Sequence, residues 1–188
     1  MIKKISLLGS IMLLAVGCGI TNVDPGNVGV EVDRCSGGGV NQKVLPIGYH
    51  LTGPCTDIYE YSVSMQNAAW SGERQIHVSS SEGLDIRVDV SLNYTVQASV
   101  VPHIYEKFRK DLDGIEHSYM RNLVRESMRR EFSKFPADQL YTKQYDIQTI
   151  VEKAVREDFT KDGFQVENLA ITKMEVPDTV KNSIEAKV

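Results

Sequence analysis

Three cysteines hold most of the covalent chemistry open to this chain, and their surroundings set them apart. Cys35 and Cys55 flank a Gly-rich, Pro-containing segment that can fold back on itself. A disulfide between them is expected, with two buried thiols as the alternative. A loop of that size would stabilise the fold by about 3 kcal/mol in the chain-entropy model. A metal pair is not expected, because no His or Cys stands at ligand spacing nearby. The histidines, His50, His77, His103 and His117, are scattered without pairing and read as surface or packed side chains. No phosphate loop, HExxH, Gly-x-Ser-x-Gly or CxxC occurs. Asp111-Leu112-Asp113-Gly114 resembles the start of a calcium loop but lacks the third carboxylate and the terminal Glu, so it reads as a helix-capping turn. Ser79-Ser80-Ser81 has no base within reach in sequence and reads as a hairpin loop. These residues point to no catalytic centre, no cofactor and no metal.

Cys18 has a different setting. Lys3 and Lys4 form a positive start, Ile5 to Ala15 an apolar stretch, and small residues precede the cysteine. The stretch is short of the ~20 residues that span a bilayer. The segment resembles a bacterial lipobox, with Ala15 where Leu is more usual, which implies cleavage before Cys18 and acyl chains, palmitate among them, on the new N-terminus. A plain secretory peptide or a short uncleaved anchor is the alternative. Removal of residues 1–17 takes two of the 21 basic residues and no acid, leaving 19 against 25 and a net charge of −6. Non-specific nucleic-acid binding is disfavoured by that balance. No second apolar run of membrane length follows, so acyl chains would be the strong anchor. An exported, oxidising compartment also suits a Cys35–Cys55 bridge.

The elements that must position these residues follow from hydrophobic period. Residues 19–27 read as a polar tether, after which Val28, Val30 and Val32 alternate as a strand. Pro46-Ile47-Gly48 is a turn signal, and Tyr49-His50-Leu51 restarts an extended run. Ile58, Tyr59, Tyr61 and Val63 predict another strand, and Ile76 with Val78 one more. Leu84, Ile86, Val88, Val90, Leu92, Tyr94 and Val96 alternate strictly with polar residues, which predicts a long strand with one buried face. Ile115, Tyr119, Leu123, Val124, Met128 and Phe132 recur at helical spacing up to Pro136. Ile147, Ile150, Val151, Ala154, Val155 and Phe159 predict a second helix, with Gly163 as a left-handed cap beyond it. Phe164, Val166, Leu169 and Ile171 make a returning strand, and Val176-Pro177-Asp178 opens a last helix carrying Val180, Ile184 and Val188. The order predicts an α+β domain. Arg121, Arg125 and Arg129 fall on one helix face, beside Arg130 and Lys134. They could contact anionic lipid or a neighbouring subunit, or form a solvated face balanced by Glu126 and Glu131. Trp70 stands in a non-periodic stretch as a partner contact, a lipid-facing loop residue or a core-edge filler.

Together these segments resemble the SPFH, or band 7/prohibitin, domain. Val23-Asp24-Pro25-Gly26-Asn27-Val28-Gly29-Val30 is similar to the family's opening Pro-Gly-x-x-Gly-Val strand, and Val44-Leu45-Pro46-Ile47-Gly48-Tyr49-His50 to its Pro-Gly-x-His turn. Residues 80–96 are similar to its hairpin and central strand, and residues 162–177 to the segment leading into its coiled-coil helix. The resemblance implies the SPFH domain at 28–176 and the start of a C-terminal helix at 177–188, while the lipobox-like segment, standing where the family usually has a transmembrane or hairpin anchor, implies a signal at 1–17 and an acylated tether at 18–27. It implies a non-enzymatic scaffold that organises membrane patches or modulates a membrane protease, held among SPFH-type subunits, its own or related. The family's long helical tail is represented only by residues 177–188. This fits a shortened chain, a weakly assembling protein, or a monomeric lipoprotein that binds or caps another SPFH assembly as inhibitor or decoy. The expected location is the periplasmic side of a membrane. Gly19, where an Asp would signal inner-membrane retention, makes the outer membrane the default if one is present.

Overall fold

The computed structural model describes residues 19–35, 37 and 39–185. They fall into two compact units, residues 19–63 with Ala98–Asp111, and residues 64–97 with 112–185.

The first unit is built from short antiparallel ladders. Strand β1 (Gly19–Val23) pairs with β4 (Gly48–Thr52), and β2 (Asn27–Asp33) lies between β3 (Gly39–Val40) and β5 (Thr56–Ser62). The Pro-Gly signal has a physical reason here. Gly26 takes φ 87° and the Asn27 N–H donates to the Asp24 carbonyl at 3.1 Å, a tight turn that a side chain at position 26 would strain. Gly29 is needed for space. It exchanges backbone hydrogen bonds with Leu45 at 3.0 and 2.8 Å, and a Cβ there would meet Ile58, Val23 and Leu45 at 2.9–3.2 Å. Helix α1 (Val101–Phe108) packs on β2 and β3. Its Tyr105 stacks on Tyr59, ring centroids 4.6 Å apart, and meets the edge of Tyr61 at 6.4 Å. Val23, Val30, Val32, Tyr61, Val101 and Ile104 form the core.

Residues 19–23 correct the expected tether. Thr21 and Val23 supply β-branched side chains, Val23 is fully buried, and all five residues pair in register with β4, Gly19 opposite Thr52 and Val23 opposite Gly48. The expected signal, residues 1–17, and Cys18 lie outside the described residues.

In the second unit the long strand β8 (Asp85–Val96) is the axis of an antiparallel sheet. Strands β6 (Gln66–Trp70) and β7 (Ile76–Ser79) pair in succession along one edge of it, and β9 (Phe164–Glu175) runs along the other. Ile86, Val88, Val90, Leu92, Tyr94 and Val96 are buried at every second position, as the alternation predicts. Helix α2 (Leu112–Ile115), a π turn (Glu116–Met120) and α3 (Arg121–Phe132) follow one another. They are succeeded by α4 (Ala137–Thr142), α5 (Gln144–Thr160) and α6 (Asp178–Glu185). Val124, Met128 and Phe132 of α3 and Val151, Val155 and Phe159 of α5 are fully buried, and α3 packs against both α5 and β7. Gly163 takes φ 86° where the chain leaves α5 for β9. The α+β architecture is thus as the sequence predicts. The short helices α1 and α4 are additions to it.

Strand β9 is an edge of the sheet, and α5 closes it. Gln148 Oε1 accepts the Ile171 N–H at 3.1 Å and Gln144 Nε2 donates to the Ile171 carbonyl at 3.3 Å. Arg156 donates to the carbonyls of Val166 and Glu167. Two register shifts leave Glu167 and Thr172 as extra residues in this strand. Bulges and side-chain caps together remove the open ladder that would otherwise invite another strand.

Candidate functional site

Chemistry-bearing residues are dispersed rather than gathered in a cleft. Among the described residues no group of three or more His, Cys, Asp and Glu could hold a metal ion. His50 bonds the Pro46 carbonyl at 2.7 Å, and His77 lies 3.4 Å from Asp85. His117 is held between Arg74, at 2.7 Å from Nε2, and the Asp113 carbonyl, at 2.8 Å from Nδ1. Leu112, Asp113 and Gly114 form part of α2. A cleft where β9 leads into α6 is lined by Arg87, Tyr141, Lys173, Glu175, Asp178 and Lys181, but its charges answer one another: Glu175 meets Lys173 at 2.6 Å and Arg87 at 3.6 Å.

Cys35 and Cys55 are joined in a disulfide with Cα atoms 5.5 Å apart. The bridge closes the open end of the β2–β5 ladder, where Asp33 faces Thr56. The Arg34 N–H donates to the Cys55 carbonyl at 2.9 Å, Asp33 accepts the Cys35 N–H at 2.9 Å, and Arg34 pairs with Asp57 at 2.9 Å.

The arginine face of α3 separates into distinct roles. Arg121 donates to the carbonyls of Arg74, at 3.2 and 3.3 Å, and Gln75, at 3.1 Å, fastening the 3-10 turn Gly72–Arg74 between β6 and β7. Arg129 pairs with Glu126 at 2.8 Å, and Arg125 is half-buried. Trp70 is a core residue, 2% exposed, on the buried face of β6.

Beside that face lies a charged network centred on Asp158. Its carboxylate accepts from Lys161 at 2.8 Å, and from Arg130 and Ser127 at 3.0 Å each. The Lys161 hydrogen bond is the main cause that holds the Asp158 pKa down to about 2, with Arg130 and Ser127 adding to it against the cost of burial. The group is therefore more acidic folded than unfolded, and its stabilisation is present above pH ~4 and lost as pH falls towards ~2. Asp158→Asn is expected to destabilise the protein by roughly 2 kcal/mol at pH 7 and to differ little from the native chain near pH 2. Urea unfolding at the two pH values measures this, and an equal loss at both would contradict it.

The network is structural, as are two phenols of the same unit, Tyr94 buried and Tyr119 half-buried. Tyr94 donates to Glu116 at 2.5 Å from the π turn, and Tyr119 donates to Asp162. Burial raises both phenol pKa values, that of Tyr119 to about 12, so both are neutral donors at any physiological pH. Sequence period placed Tyr119 on the helix, but not its partner 43 residues away.

The described elements leave the N-terminal edge as the place where structure adjoins the lipobox-like segment. Strand β1 begins at Gly19, the residue after Cys18. Among the described residues no helix is long and apolar enough to cross a membrane. A model of the family described as SPFH domain / Band 7 family matches residues 21–188. No curated protein matches the chain.

Proposed function

This chain belongs to the SPFH / Band 7 family, and from that premise we propose that it is a non-enzymatic scaffold held to the periplasmic side of a bacterial-type membrane by acyl chains on Cys18. Members of the family are membrane-associated, generally non-enzymatic scaffolds that oligomerise with SPFH-type subunits. In this reading the chain assembles with itself or with related subunits, organises a membrane patch and restrains access to a membrane protease. The outer membrane is the destination if one exists, given Gly19 after the cysteine.

The observation that carries the reading is the junction at residues 18–23. The family match begins at residue 21, three residues past Cys18, and β1 follows Cys18 without a linker. An anchor there would hold the domain at the membrane itself. The Cys35–Cys55 bridge supports the compartment, because disulfides persist in oxidising surroundings. Intact-mass spectrometry of the protein extracted from membranes is expected to find a chain beginning at Cys18 with its mass raised by acyl chains. A chain that begins at Met1, or an unmodified Cys18, would contradict the proposal.

A further inference from the structure

The β1–β4 ladder shows an unusual polarity. Its inward positions include Val23, fully buried, and Thr52, 8% exposed. On the opposite face Ile20 stands directly across from Leu51, and Asn22 across from Tyr49. Leu51, Tyr49 and Ile20 are 82%, 81% and 69% exposed, and Ile47, just before β4, is 58% exposed. An antiparallel ladder with one side on the core ordinarily turns polar side chains to water on the other. Here the outward side holds two large aliphatics and a tyrosine, and none of its four residues is charged.

We propose that this face rests on the lipid surface, with Ile20, Tyr49 and Leu51 entering the boundary between headgroups and acyl chains. The inference rests on the reading of Cys18 as the acylated residue. Ile20 is two residues from Cys18, so their Cα atoms are at most about 7 Å apart even in a fully extended chain. A diacylglyceryl group on the Cys18 sulfur therefore brings β1 to the headgroup level, and a face of that kind must then meet lipid or be turned from it at once. The composition suits lipid: aliphatic side chains enter the acyl region, and a tyrosine places its ring there and its hydroxyl among the headgroups. The dimensions disfavour a second copy as occupant. Two strands of five residues cover about 17 by 10 Å, or about 170 Å², against the roughly 800 Å² that each partner of a stable interface contributes. The absence of charge on the four residues makes zwitterionic lipid sufficient, and the contact insensitive to salt. The face and the anchor thus form two linked membrane contacts, the second adding hold and fixing orientation.

The test uses the full mature chain carrying Tyr49→Trp, reconstituted into phosphatidylcholine vesicles with brominated acyl chains. The native Trp70 is buried and serves as the unquenched reference in the wild-type chain. The emission added by the substitution, variant minus wild type, is expected to fall at least twofold relative to unbrominated vesicles, equally at low and high salt, with wild-type emission unchanged. In the Cys18→Ser background, replacing both Ile20 and Leu51 by Ser is expected to lower vesicle binding tenfold or more. An acylated variant whose emission is unquenched would overturn the inference and leave the anchor standing. Blue-shifted, unquenched emission with a doubled particle mass would assign the face to a second copy and overturn it as well. Quenching of a chain whose Cys18 carries no acyl group would support the face while removing the anchor.

Discussion

Cys18→Ser is expected to abolish incorporation of radiolabelled palmitate and to release the protein from membranes on alkaline extraction. The size of the effect follows from acyl burial. Each buried methylene contributes about 0.8 kcal/mol, one chain alone binds only marginally, and two or more hold the protein for practical purposes irreversibly. Loss of all acyl groups should therefore lower membrane retention more than a hundredfold. The unprocessed leader would not replace them, because its apolar stretch from Ile5 to Ala15 falls short of the ~20 residues that span a bilayer. Labelling of the variant equal to that of the native chain would sink the assignment of Cys18.

Cys35→Ser is expected to destabilise the first unit by about 3 kcal/mol, with urea unfolding and amide exchange as the measurements. The bridge joins residues separated by 20 in sequence, and opening it returns that loop's entropy to the unfolded chain. The loss should concentrate in the β2–β5 ladder, whose open end the disulfide closes. Exchange in β8 and α3 of the second unit should change little. Alkylation of the unreduced, denatured native chain should find no free thiol at Cys35 or Cys55. Full modification of both, or a stability change under about 0.5 kcal/mol, would refute the account of the bridge.

How much of this was legible in the sequence depends on the range of the interactions that fix each element. Strand β8 declared itself because twelve residues alternate without interruption and one face is buried throughout. Helices α3 and α5 did so through apolar residues three and four apart. Strand β6 did not, because Ala68 and Ala69 blur the alternation and only Trp70 fills the core strongly. Strand β1 reads as tether in sequence because Gly19, Thr21 and Asn22 interrupt any apolar alternation, and its strand character comes from pairing with β4, about thirty residues away. The arginine stripe was visible as a period, but the task of Arg121 at the carbonyls of Arg74 and Gln75 arises from contacts 46 and 47 residues distant. The same holds for Gln144, Gln148 and Arg156, whose capping of β9 has no local signature. The Cys35–Cys55 pairing was legible by contrast, since the two cysteines beyond the lipobox-like segment flank a Gly-rich stretch that can fold back and have one bridge to make.

The claim on which the account turns is that this protein works through the SPFH-type neighbours it meets at a membrane. Photo-cross-linking of the acylated full chain in its native membranes, followed by mass identification of the cross-linked species, tests it most directly. The account predicts that the main neighbours are SPFH-domain subunits, either further copies of this chain or related chains. Recovery of the protein cross-linked only to partners without an SPFH domain, from membranes in which Cys18 is acylated, would contradict it.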